Sequence, residues 1–343
     1  MIRLSRMQEV RLTPGLRVAD AAIGPLTRAA VRRSEWVILA FLTYAAIAAV
    51  ILPVAPHVRN LVVLLNLAVI LAYGLLLHFD SANRMVALSI ARDWLPLALI
   101  LLAYREMGWF ALPHHGHALE AHWVIWDRMV LHGGAKAAIE AFGPILPAVL
   151  EIAYTLVYAL APFALAMLYI YGHRDQVDCF LLIFAVGVLI CYAQFPFWPS
   201  EPPRVVFFGQ DLPLYDTVFR RFNWWILGNC GIHTSVFPSA HVAGAFSVAF
   251  GMWRAMPRPK WVSRFLLAAA LLIAIVTVYG RYHYVADAAA GFLMAALALA
   301  VERCKAPAGL RCGEHSEEYG RSLVRGASLG PYCWQEHLKK IWK

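Results

Sequence analysis

An all-α, polytopic membrane protein with about eight transmembrane helices is the fold the sequence predicts, and three observations predict it. The first is composition: 61% of the 343 residues are hydrophobic and 15% are charged, whereas soluble domains run nearer half apolar and a quarter charged. One soluble core cannot hide that much apolar surface, so the solvent of this chain is lipid. The second is run length. A spanning helix needs about 20 apolar residues, and the runs at 36–54, 60–79, 91–108, 147–171, 177–195, 238–256, 264–280 and 286–303 supply them. The third is the placement of charge. With eight spans both ends of the chain share one side, and 22 of the 30 Lys and Arg residues fall there. By the positive-inside rule that side is cytoplasmic.

Taken in order, residues 1–35 form a basic arm. They hold no apolar stretch ahead of a small-residue cleavage site, so the span at 36–54 is expected to act as the membrane signal. Two long connections, 109–146 and 196–237, lie on the non-cytoplasmic side, and long connections are where function concentrates. The first contains Trp123, Trp126 and Met129 at helical spacing, which predicts a short helix lying at the interface. The second contains Trp224 and Trp225, suited to an aromatic belt. Residues 304–343 are a polar cytoplasmic tail. The net charge of +9 is accounted for by a basic rim beside anionic lipid, without a nucleic-acid partner. Cys230 alone of the six cysteines falls on the outer side, so no outer disulfide is expected within one chain.

Two stretches carry chemistry. In "VFPSAHVAGAFS", residues 236–247, Pro238 and Ser239 open an apolar run as helix-start residues do, and a helix start presents unpaired N–H groups to an anion, phosphate above all. His241 follows in the same turn, placed to deliver a proton. In "YGRYHYVADAAAG", residues 279–291, His283 and Asp287 stand four apart, and a carboxylate there can fix the imidazole tautomer and leave the other nitrogen to attack. The topology puts both stretches, and Arg281, at one membrane face. A third piece, "FPFWPSEPPR" (195–204), ends in Arg204, whose planar fork suits phosphate oxygens.

Together "PSAH", "HYVAD" and the "PPR" segment resemble the type 2 phosphatidic acid phosphatase superfamily, and within it the branch of inositol phosphorylceramide synthases and, more distantly, sphingomyelin synthases. The resemblance covers about 141–303 and implies a six-helix catalytic core there, with 36–140 as two to three accessory helices and an interfacial loop. It implies phosphoryl transfer between membrane lipids, phospholipid or sphingolipid, through a phosphohistidine, with no metal or other cofactor. Residue by residue, His283 is then the nucleophile, Asp287 its orienting partner and His241 the acid for the leaving oxygen, while Ser239 and Arg204 hold the phosphate. Ala240 stands where the family has glycine and keeps its N–H. Phe197 occupies the place of a family lysine, and Arg281 lies two residues before the nucleophile rather than six, reaching the phosphate by another route if at all. Water as second acceptor makes a phosphatase, and a lipid or polyol hydroxyl makes a transferase. The compact "HYVAD" element is closer to the transferases.

Glu151, a carboxylate within a span, is a further candidate for meeting a polyol hydroxyl or the acceptor. The "PHHGH" loop, with His114, His115 and His117 and with His122 and His132 nearby, is a solvated loop that could capture a metal, and His233 could line the site. Two other classes fit these residues less well. A zinc hydrolase would use His241, His283 and Asp287 as ligands, but would leave Ser239 and Arg204 without a task. A transporter would place polar residues deep in several spans or break helices in paired repeats, whereas the charges here gather at one rim.

Overall fold

The structure is a computed structural model that describes residues 31–83, 85–110, 116–232 and 236–304. Most of the basic arm, His114, His115, His233 and the tail from 305 lie outside the described residues. Within them the chain is helical, with no strand, as a lipid solvent demands: backbone N–H and C=O groups must be satisfied inside each segment.

Three helices come first: α1 (Arg33–Ile51), α2 (Pro56–Asn83) and α3 (Val86–Met107). At the end that carries Glu35, Asp80 and Arg92 they are joined by ion pairs rather than by apolar packing alone. Glu35 receives both Nε and Nη2 of Arg92 at 2.8 Å, Arg92 Nη1 reaches Asp80 at 2.6 Å, and Asp93 is met by Arg32 at 2.6 Å and Arg174 at 2.7 Å. The carboxylates are buried, and each carries a cationic partner, as burial requires.

The predicted interfacial helix is α4 (Ala118–Val130), followed by the short α5 (Lys136–Glu140). Next come α6 (Ile145–Ile170), α7 (Val177–Gln194), the one-turn α8 (Pro203–Val206) and the amphipathic α9 (Val218–Cys230), then α10 (Ala240–Ala255), α11 (Lys260–Tyr279) and α12 (Val285–Cys304). Among the described residues seven helices are long and apolar enough to cross a membrane, one fewer than the sequence predicts. The difference is α10: at 16 residues it spans about 24 Å, short of a hydrocarbon core of about 30 Å. It does not face lipid. It is packed by α6, α7, α11 and α12, and nearly every residue from Val242 to Met252 is buried. Gly187 of α7 makes that packing close, since a Cβ there would stand 2.0 Å from Ser247 Oγ. Small residues are what allow helix backbones to approach inside a bilayer.

Between 141 and 303 there are five long helices, α6, α7, α10, α11 and α12, where the resemblance implies six, and α3 from the preceding region packs on α7.

Candidate active site

The site is built where two helices begin. Ser239 is the N-cap of α10, its Oγ accepting the Val242 N–H at 3.3 Å and its carbonyl accepting the Ala243 N–H at 2.9 Å. The N–H groups of Ala240 and His241, in the first turn, have no acceptor within the helix and carry the positive end of its dipole. The His241 ring stacks on Tyr154 of α6 at 5.1 Å and meets Tyr158 edge-on at 6.0 Å.

The second start follows a tight reversal after α11. The Thr277 carbonyl accepts the N–H groups of both Tyr282 (2.9 Å) and His283 (2.8 Å), and Arg281 takes a positive φ of 64° to complete the turn. Asp287, third in α12, reaches back so that its Oδ2 accepts the Tyr284 N–H at 2.9 Å, the return half of a capping box. The same oxygen lies 3.3 Å from His283 Nδ1. The pairing read from the four-residue spacing is thus made across a helix start, with His283 just before α12.

The two starts are fastened together. Ser239 N–H donates to the Asp287 carbonyl at 3.0 Å, and Gly291 of α12 sits so close that a Cβ would stand 2.4 Å from the Ser239 carbonyl oxygen. As a result the His241 and His283 rings lie with centroids 5.5 Å apart, inclined at 57°. Ser239, His283 and Asp287 are buried. Burial first, and then the charge of Arg204, push His283 from 6.5 down to about 3, which favours the neutral ring at pH 7. A hydrogen bond to the Val236 backbone acts in the opposite direction.

Arg204 is the second residue of α8, directly after the stiffening pair Pro202 and Pro203. Its Nη1 donates to the Tyr282 carbonyl at 3.3 Å and its guanidinium lies 5.8 Å from the Tyr282 ring centroid. Burial lowers its pKa, yet it stays charged, as arginine does.

Two residues singled out in the sequence are engaged elsewhere. Arg281 is fully buried and its Nη1 bonds Asp127 Oδ2 at 2.6 Å, while Asp127 Oδ1 accepts the Val285 N–H at 2.8 Å. This pair pins α4 to the start of α12. Burial pushes the Asp127 carboxyl up to about 6, against the pull of Val285 N–H and Arg281. Glu151 is committed to protein donors: Arg220 Nη1 at 3.1 Å on one oxygen, and the Tyr282 hydroxyl at 2.6 Å and Asn223 Nδ2 at 2.8 Å on the other. Tyr282 stacks on Tyr154 at 4.1 Å, and Tyr154 in turn lies against His241, so Glu151 holds the outer ring of this stack.

Asp127, Arg220 and Asn223 were not distinguished from the sequence. Arg220 and Arg221 are adjacent and read alike, yet Arg220 is buried on Glu151 whereas Arg221 is exposed and pairs with Asp216 at 2.9 Å. The available signal was the three-residue spacing of Arg220 and Asn223, which places both on the helix face turned to Glu151. The outer-loop histidines are separately engaged: His117 lies 3.7 Å from Glu120 and 3.9 Å from Glu201, His122 2.7 Å from the Ala118 carbonyl, and His132 2.9 Å from Asp211. Among the described residues no three His, Cys, Asp or Glu side chains converge as a metal-ligand set.

With that geometry in place, comparison with known proteins gives the family. The profile of the PAP2 superfamily matches residues 128–301, which take in both helix starts, Arg204 and Glu151. The chain belongs to the PAP2 superfamily. Like this PAP2 member, a PA-phosphatase related-family protein of Dictyostelium discoideum carries a similar stretch, 28% identical over 117 residues. That stretch is 32% of this chain and 19% of the Dictyostelium protein, so the chain spans about a fifth of the length of that relative. No solved structure matches at a significant level.

Proposed function

We propose that this chain transfers phosphoryl groups on membrane lipids through a phosphohistidine at His283, and that the group moved is a phosphoryl headgroup passed from one lipid to another, as in the inositol phosphorylceramide synthase-like branch. The observation that carries the reading is the pair of imidazoles 5.5 Å apart, one backed by Asp287 and both at helix starts.

In this reading a neutral His283 attacks phosphorus as the bond to the lipid oxygen breaks, and His241, which enters the step as an imidazolium whose proton is held by the negative charge of the bound phosphate, delivers that proton to the leaving oxygen and becomes neutral. An acceptor hydroxyl then passes its proton to His241 and attacks the phosphorus, releasing His283. Asp287 holds the His283 tautomer and steadies the imidazolium. Arg204 and the first-turn N–H groups of α10, including Ala240 and His241, face the equatorial oxygens, and such preorganised positive charge is the main requirement of phosphoryl transfer. Ser239 shapes this cradle as the cap. No metal takes part. Residues 141–303 form the catalytic core and 36–140 the accessory region, and the positive-inside count puts the site on the non-cytoplasmic face.

Hydrolysis is the second reading, favoured by the similarity to a protein named as PA-phosphatase related. One assay separates the two: phosphatidic acid or inositol phospholipid is supplied with and without ceramide, and free phosphate is compared with new phosphodiester. His283→Ala is expected to abolish turnover, and His241→Ala to lower it by about 10²–10⁴-fold, with both proteins still folded in detergent. A ³²P-labelled donor should transiently label His283. Turnover retained in His283→Ala removes the nucleophile.

A further inference from the structure

The interfacial helix α4 buries its acids and shows its apolar residues. Ile125, Trp126 and Met129 are exposed, whereas Glu120 and Asp127 are both 0% exposed. The two acids stand seven residues apart and so share one face, two turns along. The helix packs on α8, which carries Arg204, and on α12, which His283 precedes. Burying a carboxylate is costly unless donors meet it, and what meets each of these two is backbone of the site.

Asp127 spans the turn that bears His283. One oxygen takes Arg281 Nη1 at 2.6 Å, two residues before His283, and the other accepts the Val285 N–H at 2.8 Å, two residues after it. Arg281 supplies the positive φ of 64° in that turn and is fully buried, so the negative charge of Asp127 is what lets the guanidinium stay there. Glu120 holds the other part of the site. Its Oε1 accepts the Glu201 N–H at 3.1 Å, and between Glu201 and Arg204 stand only Pro202 and Pro203, whose rings fix φ. A hold on the Glu201 backbone is therefore passed stiffly to Arg204. Arg128 of α4 and His132 just beyond it both bond Asp211, at 3.1 and 2.9 Å, which keeps the helix in this rotation.

We propose that α4 sets the register between the phosphate-facing arginine and the nucleophile, Glu120 placing Arg204 and Asp127 placing His283, each as a positioning residue that touches no substrate. Seven residues of helix are a rigid spacer of about 10 Å. A displacement of about 1 Å at reacting groups can cost about 10²-fold in rate, so such a spacer has a task here. The direct link between Arg204 and the His283 turn, Nη1 on the Tyr282 carbonyl at 3.3 Å, is made by the guanidinium that faces phosphate; the two backbones are registered by α4. This inference rests on the phosphoryl-transfer reading, and its test separates the two.

The full chain in detergent is given a ³²P-labelled aryl phosphate, and labelling of His283 is followed by rapid quench across substrate concentration. The rate constant is read separately from the amplitude, so a variant that merely unfolds loses amplitude and keeps its constants. Asp127→Asn keeps an acceptor for Val285 but leaves Arg281 without its counter-charge. It is expected to lower the maximal rate constant tenfold or more, with half-saturation within twofold. Glu120→Ala is expected to raise half-saturation about tenfold, with the maximal rate constant within threefold. Glu120→Gln, which keeps an acceptor for the Glu201 N–H, should return half-saturation to within twofold of the native value. The Glu120 variants decide the proposal even where Asp127→Asn folds poorly, since the neighbouring His117 is exposed. Loss of amplitude with both constants unchanged, or the same change in both variants, overturns the inference. Independently of phosphoryl transfer, amide hydrogen exchange should quicken at 281–287 in Asp127→Asn and at 199–204 in Glu120→Ala, each without change in the other segment. Quickening of both segments together, or of neither, overturns it. A native chain that is labelled by no phosphate ester overturns the phosphoryl-transfer reading, while hydrogen exchange still decides the register.

Discussion

His283 stands in a turn closed from every side: Asp287 behind its Nδ1, the Val236 backbone against the ring, His241 in front and Arg204 nearby. A histidine in water would be half protonated near pH 6.5 and lose nucleophilic form below it. Here burial and Arg204 lower that value to about 3, so the neutral ring persists as pH falls and is lost only below about pH 4. An aryl phosphate, whose leaving group needs no proton, isolates this step. Its rate of phosphohistidine formation is expected to stay flat from pH 7 to pH 5, measured by rapid quench. A tenfold fall centred near 6.5 would mean a solvated imidazole. The pairing of His283 with Asp287 was legible from spacing alone, because four residues bring two side chains together at a helix start as well as within a helix. The partners of Arg281 and Glu151 were not legible. Asp127 is 154 positions from Arg281, and Arg220 is 69 from Glu151, and no local periodicity reports contacts of that range.

At the scale of elements, the site depends on how closely α12 lies against the start of α10. Gly291 sets that distance, because any Cβ would run into the Ser239 carbonyl, a backbone atom that cannot swing aside. Gly291→Ala is expected to move the two helix starts apart, to lower turnover at least tenfold and to cost about 1–3 kcal/mol of stability. Activity and denaturant unfolding in detergent check both, and unchanged turnover would show that the spacing is not critical. The helices themselves were legible, since an apolar run in lipid has few alternatives to a helix. The exception was α10. Its apolar run reads as a full span, but Met256, Pro257 and the Pro259 that follows end the helix early, and its burial by four neighbours removes the need to match the bilayer.

At the scale of the molecule, the charge asymmetry predicts the orientation. Cys230 is free and exposed on the side carrying the site, whereas Cys312 and Cys333 belong to the tail. A membrane-impermeant maleimide applied to intact cells is expected to label the protein once, at Cys230, with tail labelling only after permeabilisation. Labelling of the tail in intact cells would invert the topology and put the site in the cytoplasm.

The sequence by itself determined that this chain lives in lipid, where its helices run, and that His283 and Asp287 stand close enough in the chain to pair. These follow from composition, run length and spacings of a few residues, all of which act locally. Only the tertiary structure decided that Arg281 and Glu151 are held by protein partners, that Arg220 rather than Arg221 turns inward, and that α4 turns Glu120 and Asp127 onto the backbone of the site. Each of these depends on which faces of distant helices meet, and in a bilayer that is settled by close packing and buried polar pairs rather than by hydrophobicity, which is the same on every side.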